Sequence, residues 1–213
     1  MALRIQGYYA ILDVKVSSLD LAAACRHASD LLAAGPCCLQ LRAKQLSLAA
    51  LCELGHALRP MCAESGVSLC VNDRLDVALA IAADMIHLGQ NDLPLAEALR
   101  VRRSSRAESL VIGISTHDLG QAKSAAAAGA DYIGFGPVFP TQTKTDADPV
   151  VGLVALQEVA AAVPIPVVAI GGITLDNVAA VARAGASAAA VIAAVDGAPD
   201  RTLAGRRIAL AFG

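Results

Sequence analysis

The sequence contains no tryptophan, and aromatic residues of all kinds make up only 3% of its 213 residues. Charged residues are also scarce at 17%, whereas 56% of the residues are hydrophobic. This apolar content excludes a disordered chain, because disordered chains are poor in apolar residues. A core of Ala, Val, Ile and Leu is typical of layered α/β packing, and the length suits one domain spanning residues 1–213.

The chain lacks the excess of positive charge that nucleic-acid-binding proteins carry. Its formal net charge is -2 at pH 7, and no polybasic cluster stands out. We therefore expect no nucleic acid among its partners.

No apolar run is long enough to suggest a membrane span. The longest uncharged run, residues 159–175, is broken by prolines and glycines. It is also shorter than the roughly 18 apolar residues that a span requires. The N-terminus turns polar at once and has no apolar core typical of a secretion signal. We expect a cytoplasmic protein with no membrane partner.

The cysteines show no metal-binding or redox pattern. None forms a C-x-x-C pair or has zinc-finger spacing, so the expected state is that of reduced thiols that pack as small apolar groups. The six cysteines are Cys25, Cys37, Cys38, Cys52, Cys62 and Cys70.

A repeated theme runs through the chain: a short apolar run, then polar or glycine residues, then an Ala/Leu-rich helical stretch. Continuous apolar runs are typical of parallel strands that are covered on both faces. About eight such units in 213 residues favour a (β/α)8 TIM barrel over a doubly wound sheet, because no glycine-rich loop follows the first strand. The predicted strands are residues 8–14, 37–42, 68–72, 85–89, 110–115, 132–136, 166–171 and 188–193.

Polar residues follow most of these strands, at the edge where barrel enzymes have their active sites. After the second strand, alternation places Gln40, Arg42 and Lys44 on one side of the chain. An amide and two cations suit a diphosphate ligand, since Arg offers a bidentate fork and Lys a point charge. The alternative is a solvated loop that happens to carry two basic residues.

Carboxylates follow the third and fourth strands. Asp73 lies beside Asn72, and Asp92 comes just after the fourth strand. Oxygen ligands from one or two carboxylates, completed by water and phosphate, are typical of a Mg²⁺ site. Either residue alone could instead cap a helix, and Pro94 lies where a helix would begin.

The fifth strand ends at Ser115, which could bind a phosphate or a heterocycle, and His117 follows it. A lone histidine after a strand is more often a loop residue with satisfied hydrogen bonds than a base. The sixth strand leads into a loop rich in proline, hydroxyl and basic residues, which we interpret as a substrate clamp: Thr141, Gln142, Thr143 and Lys144.

The last two units carry the usual phosphate site of these barrels. Gly172 follows the seventh strand, and Ile192 with Ala193 ends the eighth. Backbone N–H groups at such positions bind phosphate in enzymes of many functions, so the feature predicts a phosphorylated ligand and little more.

Taken together, these motifs resemble the thiamine-phosphate synthase family from Tyr8 to about Val195. The motifs match in order around the predicted barrel. The resemblance implies that an aminopyrimidine diphosphate binds to Gln40, Arg42, Lys44, Asn72, Ser115 and Lys144. It implies Mg²⁺ as cofactor on Asp73 and Asp92, and a thiazole phosphate (or its carboxylated precursor) on Thr141, Gln142, Thr143, Gly172, Ile192 and Ala193.

The family's reaction begins with departure of the diphosphate, and the thiazole nitrogen then captures the pyrimidine methyl cation. Arg42, Lys44, Ser115 and Lys144 are the catalytic residues that the resemblance implies. One departure is Ala193, where the family usually has serine, so one hydroxyl contact to the thiazole phosphate is missing here. A neutral hydrogen bond contributes roughly 0.5–1.5 kcal/mol, so weaker affinity is expected rather than lost activity.

Two other functions remain open at this point. A thiazole tautomerase of the same fold would use a catalytic histidine, but it would not need the metal carboxylates together with Arg42 and Lys44. A non-catalytic phosphate-ligand sensor would keep the phosphate site without those carboxylates. The partners expected in every case are small phosphorylated molecules, and a homo-oligomer is compatible with the sequence.

Overall fold

A computed structural model describes residues 5–141 and 148–213. Eight parallel strands form a closed barrel in chain order, and β8 closes on β1 with Gly7 beside Ala188. The strands are β1 (Gly7–Asp13), β2 (Cys38–Arg42), β3 (Ser68–Asn72), β4 (Met85–Leu88), β5 (Val111–Thr116), β6 (Tyr132–Phe135), β7 (Val167–Ile170) and β8 (Ala188–Val191). The predicted (β/α)8 barrel is confirmed, with strand ends within about two residues of the predicted positions.

Helices alternate with the strands and cover the outside of the barrel. Four of them begin after a residue whose side chain accepts from the first turn: Asp20, Ser47, Asp118 and Asp200. The helices are α1 (Leu21–Leu32), α2 (Leu48–Glu64), α3 (Leu75–Ala80), α4 (Leu95–Ser104), α5 (Leu119–Ala128), α6 (Gly152–Ala162), α7 (Val178–Arg183), α8 (Ala193–Asp196) and α9 (Arg201–Leu210).

The apolar residues divide into two buried clusters. The larger one lies between strands and helices and is built of Leu, Ile, Val and Ala. The smaller one fills the barrel interior and includes Tyr9, Tyr132 and two alanines of β8, Ala188 and Ala190. The interior is therefore a packed core, and ligands can enter only from its ends.

Tyr132 needs a glycine beside it on the neighbouring strand. A Cβ placed on Gly113 would lie 2.0 Å from Cζ of the Tyr132 ring. Gly113 thus makes room for one of the two tyrosines that fill the interior.

All six cysteines are free thiols, as predicted, and Cys38, Cys62 and Cys70 are buried. Within the described ranges, no helix has both the length and the apolar character needed to cross a membrane.

Candidate active site

The predicted site residues converge at the carboxyl ends of the strands because all eight strands are parallel. Arg42 ends β2, Asn72 ends β3, and Ser115 lies one residue before the end of β5. Neighbouring strands are hydrogen-bonded in register, so Asn72 lies beside His87 of β4. The closed barrel brings to one mouth side chains that are separated widely in sequence.

Arg42 is held at this mouth by Asp13, the last residue of β1. Arg42 Nη1 donates to Asp13 Oδ1 over 2.5 Å, and the Asp13 side chain is only 1% exposed. Lys15 Nζ lies 3.5 Å from the other carboxylate oxygen. Sequence reasoning missed Asp13, although a carboxylate at a strand end is the same signal that drew attention to Asp73.

Asp73 and Asp92 interact directly at the ends of β3 and β4. Burial raises the pKa of Asp73, and the hydrogen bond and negative charge of Asp92 raise it further, while Lys44 acts in the opposite direction. Lys44 Nζ lies 3.3 Å from Asp73 Oδ2. Asp73 also has a φ of 65°, an uncommon conformation for a non-glycine residue and one often found at functional sites.

Neither carboxylate caps a helix, so that alternative is wrong. Helix α3 follows Arg74 and α4 follows Pro94, and neither N-cap residue makes a side-chain capping hydrogen bond. Asp92 Oδ2 accepts instead from the backbone N–H of Gly89 over 2.6 Å.

This pair of carboxylates fits Mg²⁺ better than a transition metal. Mg²⁺ is commonly bound by one or two carboxylates, and water and substrate phosphate complete its shell. Among residues 5–141 and 148–213, no group of three or more His, Cys, Asp or Glu side chains is arranged to hold a metal. A divalent cation between the carboxylates would also relieve the repulsion that raises the pKa of Asp73.

Gln40 and Ser115 are joined by polar side chains that cross the barrel interior. Gln40 Nε2 donates to the Tyr9 hydroxyl over 2.9 Å, and the Tyr9 and Tyr132 hydroxyls are 2.9 Å apart. His87 Nδ1 lies 3.0 Å from the Tyr132 hydroxyl, and His87 Nε2 lies 2.9 Å from Ser115 Oγ. Gln40 is only 4% exposed, so it lies deeper than Arg42 and Lys44.

The loop after β6 packs against the loop after β7. Val138 N donates to Ile170 O over 2.9 Å, and Phe139 N donates to Gly171 O over 3.0 Å. Gly172 has a φ of 63°, and a Cβ there would lie 2.4 Å from Pro140 O. The Gly171-Gly172 turn is therefore specific for glycine and holds the first part of the loop in place.

The remaining predicted thiazole-phosphate residues lie near this turn in the barrel order. Thr141 is half-buried just after Pro140. Ile192 and Ala193 stand where β8 leads into α8, on the strand next to β7. Three predicted residues, Gln142, Thr143 and Lys144, lie outside the residues that the structure describes.

Both ring nitrogens of His117 contact protein groups. Nδ1 lies 2.6 Å from Gly136 O, and because a carbonyl only accepts, Nδ1 carries the proton. Nε2 lies 3.3 Å from Asp148 Oδ2. His117 therefore joins residues on either side of positions 142–147.

A barrel with paired carboxylates, basic side chains and a Gly-Gly turn at its carboxyl edge defines the class of phosphate-handling (β/α)8 enzymes. The comparisons with known proteins narrow this class. Residues 8–195 match the sequence model of the family described as thiamine monophosphate synthase. The chain belongs to this family, whose members are transferases.

Individual relatives agree with this assignment. The chain is 45% identical over 177 residues to a thiamine-phosphate synthase of Moorella thermoacetica, covering 83% of this chain and 82% of the relative. It is 44% identical over 209 residues to that of Anaeromyxobacter dehalogenans, covering 98% and 89%. The solved thiamine phosphate pyrophosphorylase from Pyrococcus furiosus superposes with a TM-score of 0.84 at 34% identity, covering 99% of this chain and 97% of that one.

Proposed function

We propose that this enzyme joins an aminopyrimidine diphosphate to a thiazole phosphate and releases diphosphate as thiamine phosphate forms. The observation that carries the proposal is the contact between Asp73 and Asp92 with Lys44 beside them. Two carboxylates and a cation at one mouth suit a metal-bound diphosphate. An isomerase acting on a monophosphate has no need of them.

The leaving diphosphate would be held by four side chains: Arg42, Lys44, Asn72 and Lys144. Departure of a diphosphate builds negative charge on its oxygens, and fixed cations stabilise that charge without a nucleophile or a strong base. Asp13 keeps the Arg42 guanidinium at the mouth through the 2.5 Å hydrogen bond. Gln40 and Ser115 would orient the pyrimidine ring from below.

Asp73 and Asp92 would hold Mg²⁺. When bound, the ion would neutralise charge on the diphosphate oxygens as a Lewis acid. Asp73 and Asp92 interact with each other, and Lys44 Nζ lies 3.3 Å from Asp73 Oδ2. The described side chains thus provide hard oxygen ligands beside a cation, as a Mg²⁺–phosphate site requires.

The thiazole phosphate would bind where the loops after β6, β7 and β8 meet. The backbone of Gly172, Ile192 and Ala193 would contact the phosphate, and a closed loop would keep water from the reactive pyrimidine cation. The side chains proposed to complete this site are Thr141, Gln142 and Thr143.

The tautomerase alternative is disfavoured because a reaction on a monophosphate does not call for the interacting carboxylates Asp73 and Asp92 beside Lys44. A phosphate-ligand sensor is disfavoured because it has no use for the interacting carboxylates.

We further propose that residues 1–213 form one catalytic domain and that the enzyme is cytoplasmic. A homo-oligomer is compatible with this proposal. The free thiols of the enzyme suit a reducing compartment.

The direct test mixes the protein with both substrates and Mg²⁺ and follows thiamine phosphate and diphosphate together. We expect equimolar release of the two products, abolished by EDTA and by Asp73→Ala. Asp76→Ala is the matched control, because Asp76 is an exposed aspartate of the same segment and its side chain forms an ion pair with Arg74. Folded protein that makes no product would refute the proposal.

A further inference from the structure

A continuous chain of polar groups lies inside the barrel beneath the mouth. We call it the hydroxyl chain, and its members in order are Gln40, Tyr9, Tyr132, His87 and Ser115. Each neighbouring pair is separated by 2.9 or 3.0 Å. The members come from β2, β1, β6, β4 and β5, so the chain ties together five strands of the barrel.

Burying the polar groups of the hydroxyl chain costs free energy unless each of them makes a hydrogen bond. Tyr9 is 2% exposed and Tyr132 is fully buried, and an unpaired hydroxyl at such a position costs free energy. Phenylalanine at either position would fill the same space without this requirement. The adjacent Tyr8 shows the contrast, because its buried hydroxyl has no hydrogen-bond partner among the described residues.

The contacts of Cys70 set the direction in which the protons point. The Cys70 thiol donates to Val71 O at 3.6 Å, and the Tyr9 hydroxyl donates to Cys70 Sγ at 3.4 Å. With the proton of Tyr9 used in this way, the Tyr132 hydroxyl donates to Tyr9. The Tyr132 oxygen can then only accept a hydrogen bond from His87.

A neutral imidazole carries a single proton. With His87 in that form, Nδ1 donates to Tyr132 and Nε2 accepts through its lone pair. Ser115 Oγ donates its proton to this lone pair over 2.9 Å. The hydroxyl proton of Ser115 is thereby turned toward His87, and the lone pairs of Oγ are left for a ligand.

We propose that His87, held by Tyr132 and Tyr9, is a positioning residue that fixes Ser115 Oγ as a hydrogen-bond acceptor and so selects a ligand with a donor group. The inference rests on the proposed function in one respect, namely that Ser115 contacts the aminopyrimidine. The exocyclic amino group is the donor that this acceptor would recognise. Gln40, at the other end of the hydroxyl chain, is linked to Ser115 by hydrogen bonds through the two tyrosines and His87.

The first test measures the tautomer of His87 directly. The protein is labelled with ¹⁵N-histidine, and the signals of His87 are assigned by their loss in His87→Gln. We expect the ¹⁵N shifts of the Nδ1–H tautomer at neutral pH. An Nε2–H tautomer would reverse the chain and overturn the inference. The result does not depend on any catalytic activity.

The second test compares Tyr132→Phe with Tyr8→Phe. Loss of one neutral hydrogen bond is expected to lower kcat/KM for the pyrimidine diphosphate roughly three- to tenfold in Tyr132→Phe. The KM for the thiazole phosphate should stay unchanged. Tyr8→Phe removes an equally buried hydroxyl that has no hydrogen-bond partner within residues 5–141 and 148–213, so its kinetics should match the wild type. Equal kinetics of the two variants would overturn the inference.

A double-mutant cycle locates the effect at Ser115. If Tyr132 acts through Ser115, its substitution should have little further effect in a Ser115→Ala background. Full additivity would contradict the proposal. Should Tyr132→Phe fail to fold, His87→Gln and His87→Leu give the same information, because glutamine retains an acceptor near Ser115 and should keep more activity. Equal loss in these two variants would count against the inference. A wild-type protein without synthase activity would refute the proposed function and leave the tautomer result standing.

Discussion

Asp13 accepts a hydrogen bond of 2.5 Å from Arg42, and the aspartate side chain is almost completely buried while the arginine reaches the mouth of the barrel. The pair joins the ends of β1 and β2, which are neighbours in the sheet. A buried carboxylate thus fixes the direction of a cation that we assign to the leaving diphosphate.

Asp13→Asn should destabilise the protein and weaken binding of the pyrimidine diphosphate. Breaking a buried ion pair costs about 3 kcal/mol, because the remaining charge loses its partner. The control is Asp76→Asn, which breaks an exposed pair with Arg74 that contributes about 1 kcal/mol or less. Urea unfolding measures the stabilities, and initial rates give the KM for the diphosphate. Equal stability of the two variants would show that Asp13 does not hold Arg42.

In the metal-free protein, the contribution of Asp73 to stability should be lost as pH rises through its pKa in the folded state. Burial and Asp92 raise this pKa above 3.8, so the unfolded chain ionises first and the contribution of Asp73 is fully present only below a pH of about 3.8. Asp92→Asn removes the neighbouring charge and should reduce the loss. Urea unfolding between pH 3.5 and 6, in EDTA, checks the slope. Identical pH profiles of variant and wild type would contradict the proposed coupling.

Gly172→Ala should be much more damaging than Gly152→Ala. Both residues have positive φ, so each substitution strains the backbone by about 1 kcal/mol. Only at Gly172 would the new methyl group also collide with backbone, at 2.4 Å from Pro140 O, whereas Gly152 has open space. Thermal unfolding and the KM for the thiazole phosphate give the comparison. Similar effects of both variants would mean that the close approach of the two loops is unimportant.

His117→Ala should slow the reaction by less than about tenfold, as expected for a residue that holds a loop rather than one that transfers protons. Its effect should overlap with that of Asp148→Asn, because His117 Nε2 and Asp148 Oδ2 are in contact. Steady-state rates of the two single variants and the double variant test this. A loss of several orders of magnitude in His117→Ala alone would instead make His117 a catalytic residue and revive the tautomerase alternative.

The barrel could be predicted because each strand is a short apolar run followed by polar residues. The largest error in the strand ends is at β8, which was predicted to reach residue 193 but ends at Val191. Residues 188–195 are apolar throughout, so no change of pattern marks the point where the strand gives way to α8. Boundaries inside a uniform apolar run depend on backbone pairing with the neighbouring strand.

The candidate site was predictable where a charged residue follows a strand, as at Arg42 and Asp73. Asp13 was missed because it lies inside an apolar run, and only the barrel brings it beside Arg42. The hydroxyl chain could not be predicted either. Tyr8 and Tyr9 are adjacent and chemically identical in the sequence, and only the register of β1 decides that Tyr9 faces the interior.

The space that Gly113 leaves for Tyr132 has a consequence for how this sequence can evolve. A side chain at position 113 would overlap the tyrosine ring, so Gly113 cannot gain a side chain while an aromatic ring occupies position 132. Homologues that carry alanine or a larger residue at the position of Gly113 should therefore carry a small residue in place of Tyr132. Such lineages would have given up the hydroxyl chain, and their selectivity for the pyrimidine must then come from other side chains.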